Sequence, residues 1–396
     1  MGLNVINEDG VPSAMASGKK VELFELFYDL IFVYAVSRLT LLMEEPEGGI
    51  VTSEMVAVYA IFLMLIIQAW FMMTSYVNRC CTWRWHDYVL LALNMSAAVL
   101  MAQSMSGDPD ESSTALMVSI AMMTGSVIVL YAIHYLGDGP QKGYAKRSLA
   151  VLAVIEAVYM AALCLKFAGS EEISKYIVAA NIAVGMMLPL MNRRGEFAEC
   201  VHFPHLVERM ELFTIIMFGE ALISVTGFFK MVDPEPLGII NFLIIIVMFG
   251  FYVCRVHLMC DHRGPAVSDR MVGCHYLIYV AISAITVAFK YMEGGEVDSF
   301  VTATFMAVSM LLFNLALLST SRYYKDGLAA GSKDIAMGLL FTAIGIAVML
   351  AFHGEHYALS IGALIGFGAN LALSLMMYRG RTAAGREPVE RWNTTS

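Results

Sequence analysis

Five carboxylates near the start of two apolar stretches are the residues best suited to chemistry. Glu22, Glu25 and Asp29 are spaced i, i+3 and i+7, which places them on one face of a helix. Glu208 and Glu211 repeat the first two positions at the start of a later stretch. Carboxylates held away from water can take up and release protons, and a row of them can bind a cation. The pattern therefore predicts a proton- or cation-binding face.

Three more charged residues, Glu156, Glu220 and Arg38, lie within apolar stretches. A charge inside a membrane span costs at least about 2.5–3.5 kcal/mol, so its presence favours a functional role. Arg38 lies nine residues after Asp29, on the opposite face of the same helix, and should meet a carboxylate from another helix. We predict an Arg38–Glu220 pair at the centre of the site. The predicted substrate- or ion-binding residues are Glu25, Asp29, Arg38, Glu156, Glu208, Glu211 and Glu220.

Each of these charges also has a purely structural interpretation. The glutamates at the helix starts could satisfy the free amides of the first turn and interact with the helix dipole. Asp29, Glu220 and Arg38 could form a structural interhelical pair. Glu156 could hydrogen-bond a neighbouring hydroxyl while protonated. The sequence leaves both interpretations open.

Residues 254–262 are rich in metal-ligand types, with two cysteines, two histidines and an aspartate. Their spacing fits no zinc pattern, and we predict neither a metal site nor a cofactor. His202 and His205, just before the seventh apolar stretch, could sense pH. Capping or interfacial packing is the alternative for these two rings.

Composition makes the membrane the solvent for most of the chain. Of its 396 residues, 59% are hydrophobic and only 15% are charged, and the mean hydropathy is +0.68. Soluble domains carry roughly a quarter charged residues, so this chain could not cover its surface in water. Residues 1–20 lack the features of a cleaved signal peptide. The first apolar stretch should therefore stay in the bilayer.

Twelve stretches are long and apolar enough to span a bilayer as helices. We predict an all-α transmembrane bundle with spans near 23–43, 51–77, 86–105, 113–136, 148–167, 173–191, 207–229, 236–258, 271–291, 299–321, 334–353 and 357–378. Most of the 25 Lys and Arg residues fall between alternate spans, whereas the other loops are acidic. By the positive-inside rule, the protein should lie in the cell membrane with both termini in the cytoplasm.

An internal repeat is also predicted. A shift of 186 residues aligns residues 21–27 with residues 207–213 without a gap. The predicted organisation is a cytoplasmic tail (1–20), two six-helix repeats (21–192 and 193–380) and a second cytoplasmic tail (381–396). Six spans per repeat would relate the halves by an axis along the membrane normal.

Aromatic residues and glycines suggest how the bundle meets lipid and other chains. Gly362, Gly366 and Gly368 on the last span indicate close helix packing and leave a homodimer face open. Trp and Tyr near span ends are typical of interfacial belts. The aromatic residues that fit such belts are Trp70, Trp83, Trp85, Tyr76 and Tyr88.

Two stretches resemble the signatures of the bacterial low-temperature-requirement A family. They are VELFELFYDLIFVYAV at residues 21–36 and HLVERMELFTIIMFGE at residues 205–220. The resemblance makes Glu25, Asp29, Glu208 and Glu220 signature positions, while Arg38 stands where a glutamine is usual. It implies a polytopic membrane protein but little about activity. Phe27-Tyr28-Asp29 also gives a looser likeness to the endolysosomal potassium/proton channels.

The leading functional hypothesis is a transporter or permease of a small solute, coupled to protons or a cation through buried carboxylates. The alternatives are an ion channel with the first and seventh helices lining the pore, or a non-transporting protein of stress or cold adaptation. No phosphate-binding loop, metalloprotease motif or nucleophile elbow is present, so we expect no enzymatic activity and no nucleic-acid partner. The expected partners are the lipid bilayer and a small solute or ion.

Overall fold

Twelve long α-helices make up the residues described by the computed structural model, which are 19–44, 46–105, 109–137, 141–191, 201–229, 236–262 and 268–382. Their bounds lie within a few residues of most predicted spans, so the all-α prediction is confirmed. The helices are α1 Leu23–Glu44, α2 Ser53–Arg79, α3 Trp85–Ser104, α4 Pro109–Leu136, α5 Lys142–Phe167, α6 Glu171–Met191, α7 Phe203–Ser224, α8 Pro236–Tyr252, α9 Asp269–Gly294, α10 Ser299–Ser319, α11 Ser332–Ala351 and α12 His356–Thr382. Nearly all of the two predicted tails lies outside the described residues.

Ten of these helices are long and apolar enough to cross a membrane within the described part of the chain. Helices α3 and α6 are not among the ten. Helix α3 carries Asp87 and Asn94, which are both buried and lower its apolar character. The chain is therefore a multi-pass membrane protein that contacts the bilayer.

Local signals set several helix ends. Thr52 accepts a hydrogen bond from the Met55 backbone N–H at 3.2 Å and caps α2. Asp298 caps α10 by accepting from the Phe300 backbone N–H at 2.8 Å. Helix α9 is followed by Gly295, whose φ of +69° favours a residue without a Cβ.

The helices of each half pack in the same order. In the first half, α1 contacts α2 and α3, α3 contacts α4, α4 contacts α5, α5 contacts α6, and α6 returns to α2. In the second half, α7 contacts α8 and α9, α9 contacts α10, α10 contacts α11, α11 contacts α12, and α12 returns to α8. Helices α1 and α7 contact each other and α9, so they lie where the halves meet. This junction holds most of the buried charge described below.

The close helix packing predicted at Gly362 and Gly366 is confirmed within the chain, because a Cβ at Gly362 would meet Met349 and Gly345 of α11 and a Cβ at Gly366 would meet Met310 of α10. The homodimer stays a prediction. The interfacial placement of Trp70 and Tyr76 is wrong, because both rings are buried against other helices, Trp70 on Phe213 of α7 and Tyr76 on Tyr131 of α4. Trp85 and Tyr88 are exposed, as an interfacial belt requires.

Candidate functional site

A cluster of charged side chains fills the contact between α1 and α7. Glu25 and Asp29, one turn apart on α1, face His205 and Arg209, one turn apart on α7. None of the four is more than 1% exposed. The i, i+4 spacing on both helices lets the two pairs meet side by side. We call these four residues the α1–α7 cluster.

The Arg209 guanidinium is held on three sides. Its Nε donates to Asp29 Oδ2 at 3.2 Å and its Nη2 donates to Asp29 Oδ1, which is a bidentate pair. Its Nη1 donates to Glu25 Oε2. Trp70 donates from its ring nitrogen to Asp29 Oδ1 at 2.7 Å, and its ring centre lies 5.6 Å from the guanidinium carbon. Asp29 therefore accepts three hydrogen bonds and is suited to the ionised form.

A chain of hydrogen bonds fixes the proton on His205. The His202 backbone N–H donates to Asn78 Oδ1 at 3.1 Å, so the Asn78 amide nitrogen points the other way. That nitrogen lies 3.1 Å from His205 Nδ1, which must act as the acceptor. The His205 proton is then on Nε2, 3.3 Å from Glu25 Oε1. In this arrangement the His205 ring is neutral.

Counting charges leaves the cluster with one excess negative charge. Two carboxylates face one guanidinium, and His205 is neutral in the tautomer that Asn78 favours. Lys19 lies in the next layer, where its ammonium donates to the Val77 and Asn78 carbonyls. Burial lowers the pKa of the Lys19 ammonium. The four cluster residues by themselves thus carry one excess negative charge, and the Lys19 ammonium is the nearby positive charge that acts on Glu25.

Aromatic side chains seal the cluster on the side of α9. Trp70 stacks on Phe213 with ring centres 4.6 Å apart, and Tyr279 meets both rings edge-on. Tyr28, next to Asp29 on α1, donates to Asn94 at 2.9 Å. Aromatic rings therefore cover the cluster on these sides.

The predicted Arg38–Glu220 pair is not formed. Ser37 is the polar side chain of α1 that lies near Glu220, and the charged groups near Glu220 are Lys290 and Glu44. Ser37 and Arg38 are successive residues of α1, so they point about 100° apart, and the one that faces α7 is the serine. The sequence prediction used an assumed symmetry axis to estimate how deep in the membrane Glu220 lies. That axis does not determine which face of α1 points towards α7.

The other predicted site residues lie apart from the cluster. Glu208 is exposed on α7. Glu211 faces the end of α8, where His257 Nδ1 lies 3.2 Å from its Oε1. Glu156 on α5 is half-buried, and its Oε2 has no hydrogen-bond partner among the described residues. The structure thus unites Glu25 and Asp29 and separates the remaining carboxylates.

A small cavity lies in the first half, next to the helix that carries Trp70. It is lined by Gln68 and Met72 of α2, Thr124 of α4 and Tyr159 of α5, and it has room for about one water-sized group. Gln68 is 3% exposed, yet its amide oxygen and nitrogen have no hydrogen-bond partner among the described residues. An unpaired buried amide costs about 1–3 kcal/mol, so this group is suited to a polar ligand.

Sequence reasoning missed the positive half of the cluster. Arg209 lies close to the start of its apolar stretch, where a snorkelling cation is unremarkable, and Arg38 looked deeper. His205 was assigned only to pH sensing or packing. The available signal was the spacing itself, because His205 and Arg209 repeat the i, i+4 spacing of Glu25 and Asp29.

The comparison with known proteins identifies the family. No protein with a curated description matches the sequence. The family model described as bacterial low temperature requirement A protein (LtrA) matches residues 20–375, which include both helices of the α1–α7 cluster. The chain therefore belongs to the LtrA family of bacterial membrane proteins.

Proposed function

We propose that this protein is a membrane transporter of a small solute, coupled to a proton or cation through the α1–α7 cluster. The observation that carries the proposal is the excess buried carboxylate where α1 meets α7. A structural ion pair needs one carboxylate for one arginine, whereas Arg209 has two. The second carboxylate gives the site a reason to bind a positive charge.

The packing order of the helices supports a two-repeat transporter. The contacts α1–α3, α3–α4, α5–α6 and α2–α6 have counterparts in α7–α9, α9–α10, α11–α12 and α8–α12. Transporters are often built from such repeats, with ion and substrate sites at the junction. The cluster lies at this junction because α1 and α7 are the first helices of the two halves. Basic residues between alternate spans support the orientation with both termini in the cytoplasm.

The cavity beside Gln68 has room for about one water-sized group, so it is our candidate site only for a solute of that size. Helix α2 carries Trp70 towards Asp29 and Gln68 towards the cavity. A movement of α2 would therefore act on both places. The buried amide of Gln68 would hydrogen-bond such a polar group.

Reconstitution tests this proposal. The purified protein is placed in liposomes that enclose a pH-sensitive dye, and gradients of alkali cations, ammonium, amino acids and sugars are imposed in turn. We expect one class to drive proton or cation movement, and Asp29→Asn to reduce the rate to that of empty liposomes. Glu208→Gln is the matched control, because Glu208 is an exposed carboxylate on α7.

Three results separate the hypotheses. Flux that follows a solute gradient and is lost in Asp29→Asn supports coupled transport. A voltage-driven current without any solute gradient supports the channel alternative. If the wild type and Asp29→Asn behave identically with every gradient, the carboxylate mechanism is wrong.

A further inference from the structure

A second cluster lies on the opposite side of α7 from the α1–α7 cluster. Glu211 of α7, His257 in the segment after α8 and His262 a few residues later bring one ligand atom each within 4.8 Å of one another. His257 Nδ1 is 3.2 Å from Glu211 Oε1, and His262 Nε2 is 3.9 Å from the same oxygen. The three residues come from two separate parts of the chain.

The backbone after α8 is what brings the two histidines together. Residues Val253–Leu258 form a π-helical turn, in which the Met259 N–H donates to the Cys254 carbonyl at 3.2 Å. The wider turn buries Arg255 and leaves His257 59% exposed. Such turns occur frequently at functional sites. Lys325 then holds the end of the segment by donating to the Leu258 carbonyl at 3.2 Å.

We propose that Glu211, His257 and His262 bind a divalent transition-metal ion such as Zn²⁺. Bonds of about 2.0–2.1 Å in a tetrahedral zinc site place ligand atoms about 3.3 Å apart. The His257–Glu211 distance of 3.2 Å already matches this value. His262 needs to move by about half an ångström towards Glu211 to reach the same separation. Its exposed position leaves a fourth coordination site for water.

The chemistry of the ligands decides which ions fit. Two imidazoles and one carboxylate favour Zn²⁺, Co²⁺ and Ni²⁺, whereas Mg²⁺ and Ca²⁺ prefer oxygen ligands alone. His262 Nε2 lies 2.8 Å from the Val256 carbonyl and exchanges that hydrogen bond for the metal. Two of the ligands are partly exposed, so the ion can enter from the aqueous phase.

The inference goes beyond the proposed function and does not depend on it. A metal at this site would join α7 to the end of α8. Glu211 lies only two residues after Arg209 on α7. Metal binding would therefore fix the helix that carries the positive half of the α1–α7 cluster.

Calorimetry with the full-length, tag-free protein in detergent tests the proposal. After removal of bound metal with a chelator, Zn²⁺ and Co²⁺ are titrated into the wild type, with Mg²⁺ as a comparison ion. We expect one Zn²⁺ per chain and a visible absorption band from four-coordinate Co²⁺. The His257→Ala/His262→Ala variant should lose affinity by more than the roughly 10–100-fold that removal of an outer-shell partner costs.

A matched control separates this site from general histidine binding. His353→Ala/His356→Ala removes two histidines from the junction of α11 and α12, and it should bind Zn²⁺ like the wild type. Glu211→Gln keeps the shape of the side chain and should weaken binding without altering elution in size-exclusion chromatography. Equal Zn²⁺ affinity in the wild type and the His257/His262 variant, or no binding by the wild type, would overturn the proposal.

Discussion

Two arginines, Arg209 and Arg255, are buried in this protein by different means. Arg209 is 1% exposed and contacts two carboxylates. Arg255 is fully buried, yet its Nε donates to Ser374 Oγ at 2.7 Å and its Nη1 to the Tyr324 hydroxyl at 3.0 Å, with Met377 sulfur near Nη2. Among the described residues it contacts no carboxylate.

The comparison shows that this fold can bury an arginine without a carboxylate partner. An aromatic ring stabilises the guanidinium group at both places. The ring centre of Phe251 lies 5.7 Å from the Arg255 guanidinium carbon, and that of Trp70 lies 5.6 Å from the Arg209 guanidinium carbon. Burial raises the pKa of the Tyr324 hydroxyl to about 12, so this partner of Arg255 stays neutral at physiological pH. Two carboxylates around Arg209 therefore exceed what burial alone requires.

The largest expected effect comes from removing Arg209, with the removal of Arg255 as the comparison. Arg209→Met leaves two buried carboxylates without their guanidinium and should lower the free energy of unfolding by about 3–5 kcal/mol. Arg255→Met removes a charge whose partners are neutral and should cost about 1 kcal/mol. Denaturation in detergent, followed by circular dichroism, measures both. If Arg209→Met and Arg255→Met lower the free energy of unfolding equally, the surroundings of the two arginines do not differ as described.

A smaller effect should follow from removing one neutral partner of Arg255. Ser374→Ala leaves the buried Arg255 Nε without its acceptor, which should cost about 1.5–3 kcal/mol, more than removing Arg255 itself. Ser96→Ala is the control, because Ser96 is exposed and bonds only to its own helix at Ala92. Its change should stay within about 0.5 kcal/mol. If Ser374→Ala leaves the free energy of unfolding unchanged, Arg255 Nε has another hydrogen-bond acceptor.

The ten helices that are long and apolar enough to cross a membrane could be predicted from sequence because each is one long apolar run. The spans near 236–258 and 299–321 could be predicted from two facts alone: the thickness of the bilayer, and the free-energy cost of unpaired backbone groups in lipid. The acidic face of α1 was also available from spacing alone, since Glu25 and Asp29 are one turn apart. These features depend on local sequence, and local sequence determined them well.

The partners of that face could not be predicted, because they depend on the rotation of one helix against another. His205 is 180 residues from Glu25, and a rotation of about one residue on α1 decides whether Ser37 or Arg38 faces Glu220. Trp70 misled for a similar reason, since its burial depends on contacts with Phe213 of α7 and Tyr279 of α9. Long-range geometry of this kind leaves no simple pattern in one sequence.

A small change in stability is also expected when the whole α1–α7 cluster is neutralised. Glu25→Gln/Asp29→Asn/Arg209→Gln replaces three charges with amides of similar shape, which can hydrogen-bond to one another. Since a buried ion network is often close to neutral in stability against uncharged replacements, unfolding should change by less than about 2 kcal/mol. Flux in liposomes should nevertheless disappear, because no carboxylate remains to hold a proton or cation. A triple variant that is stable and still coupled would assign the cluster to structure alone, and Arg209 would then differ from Arg255 only in its choice of partners.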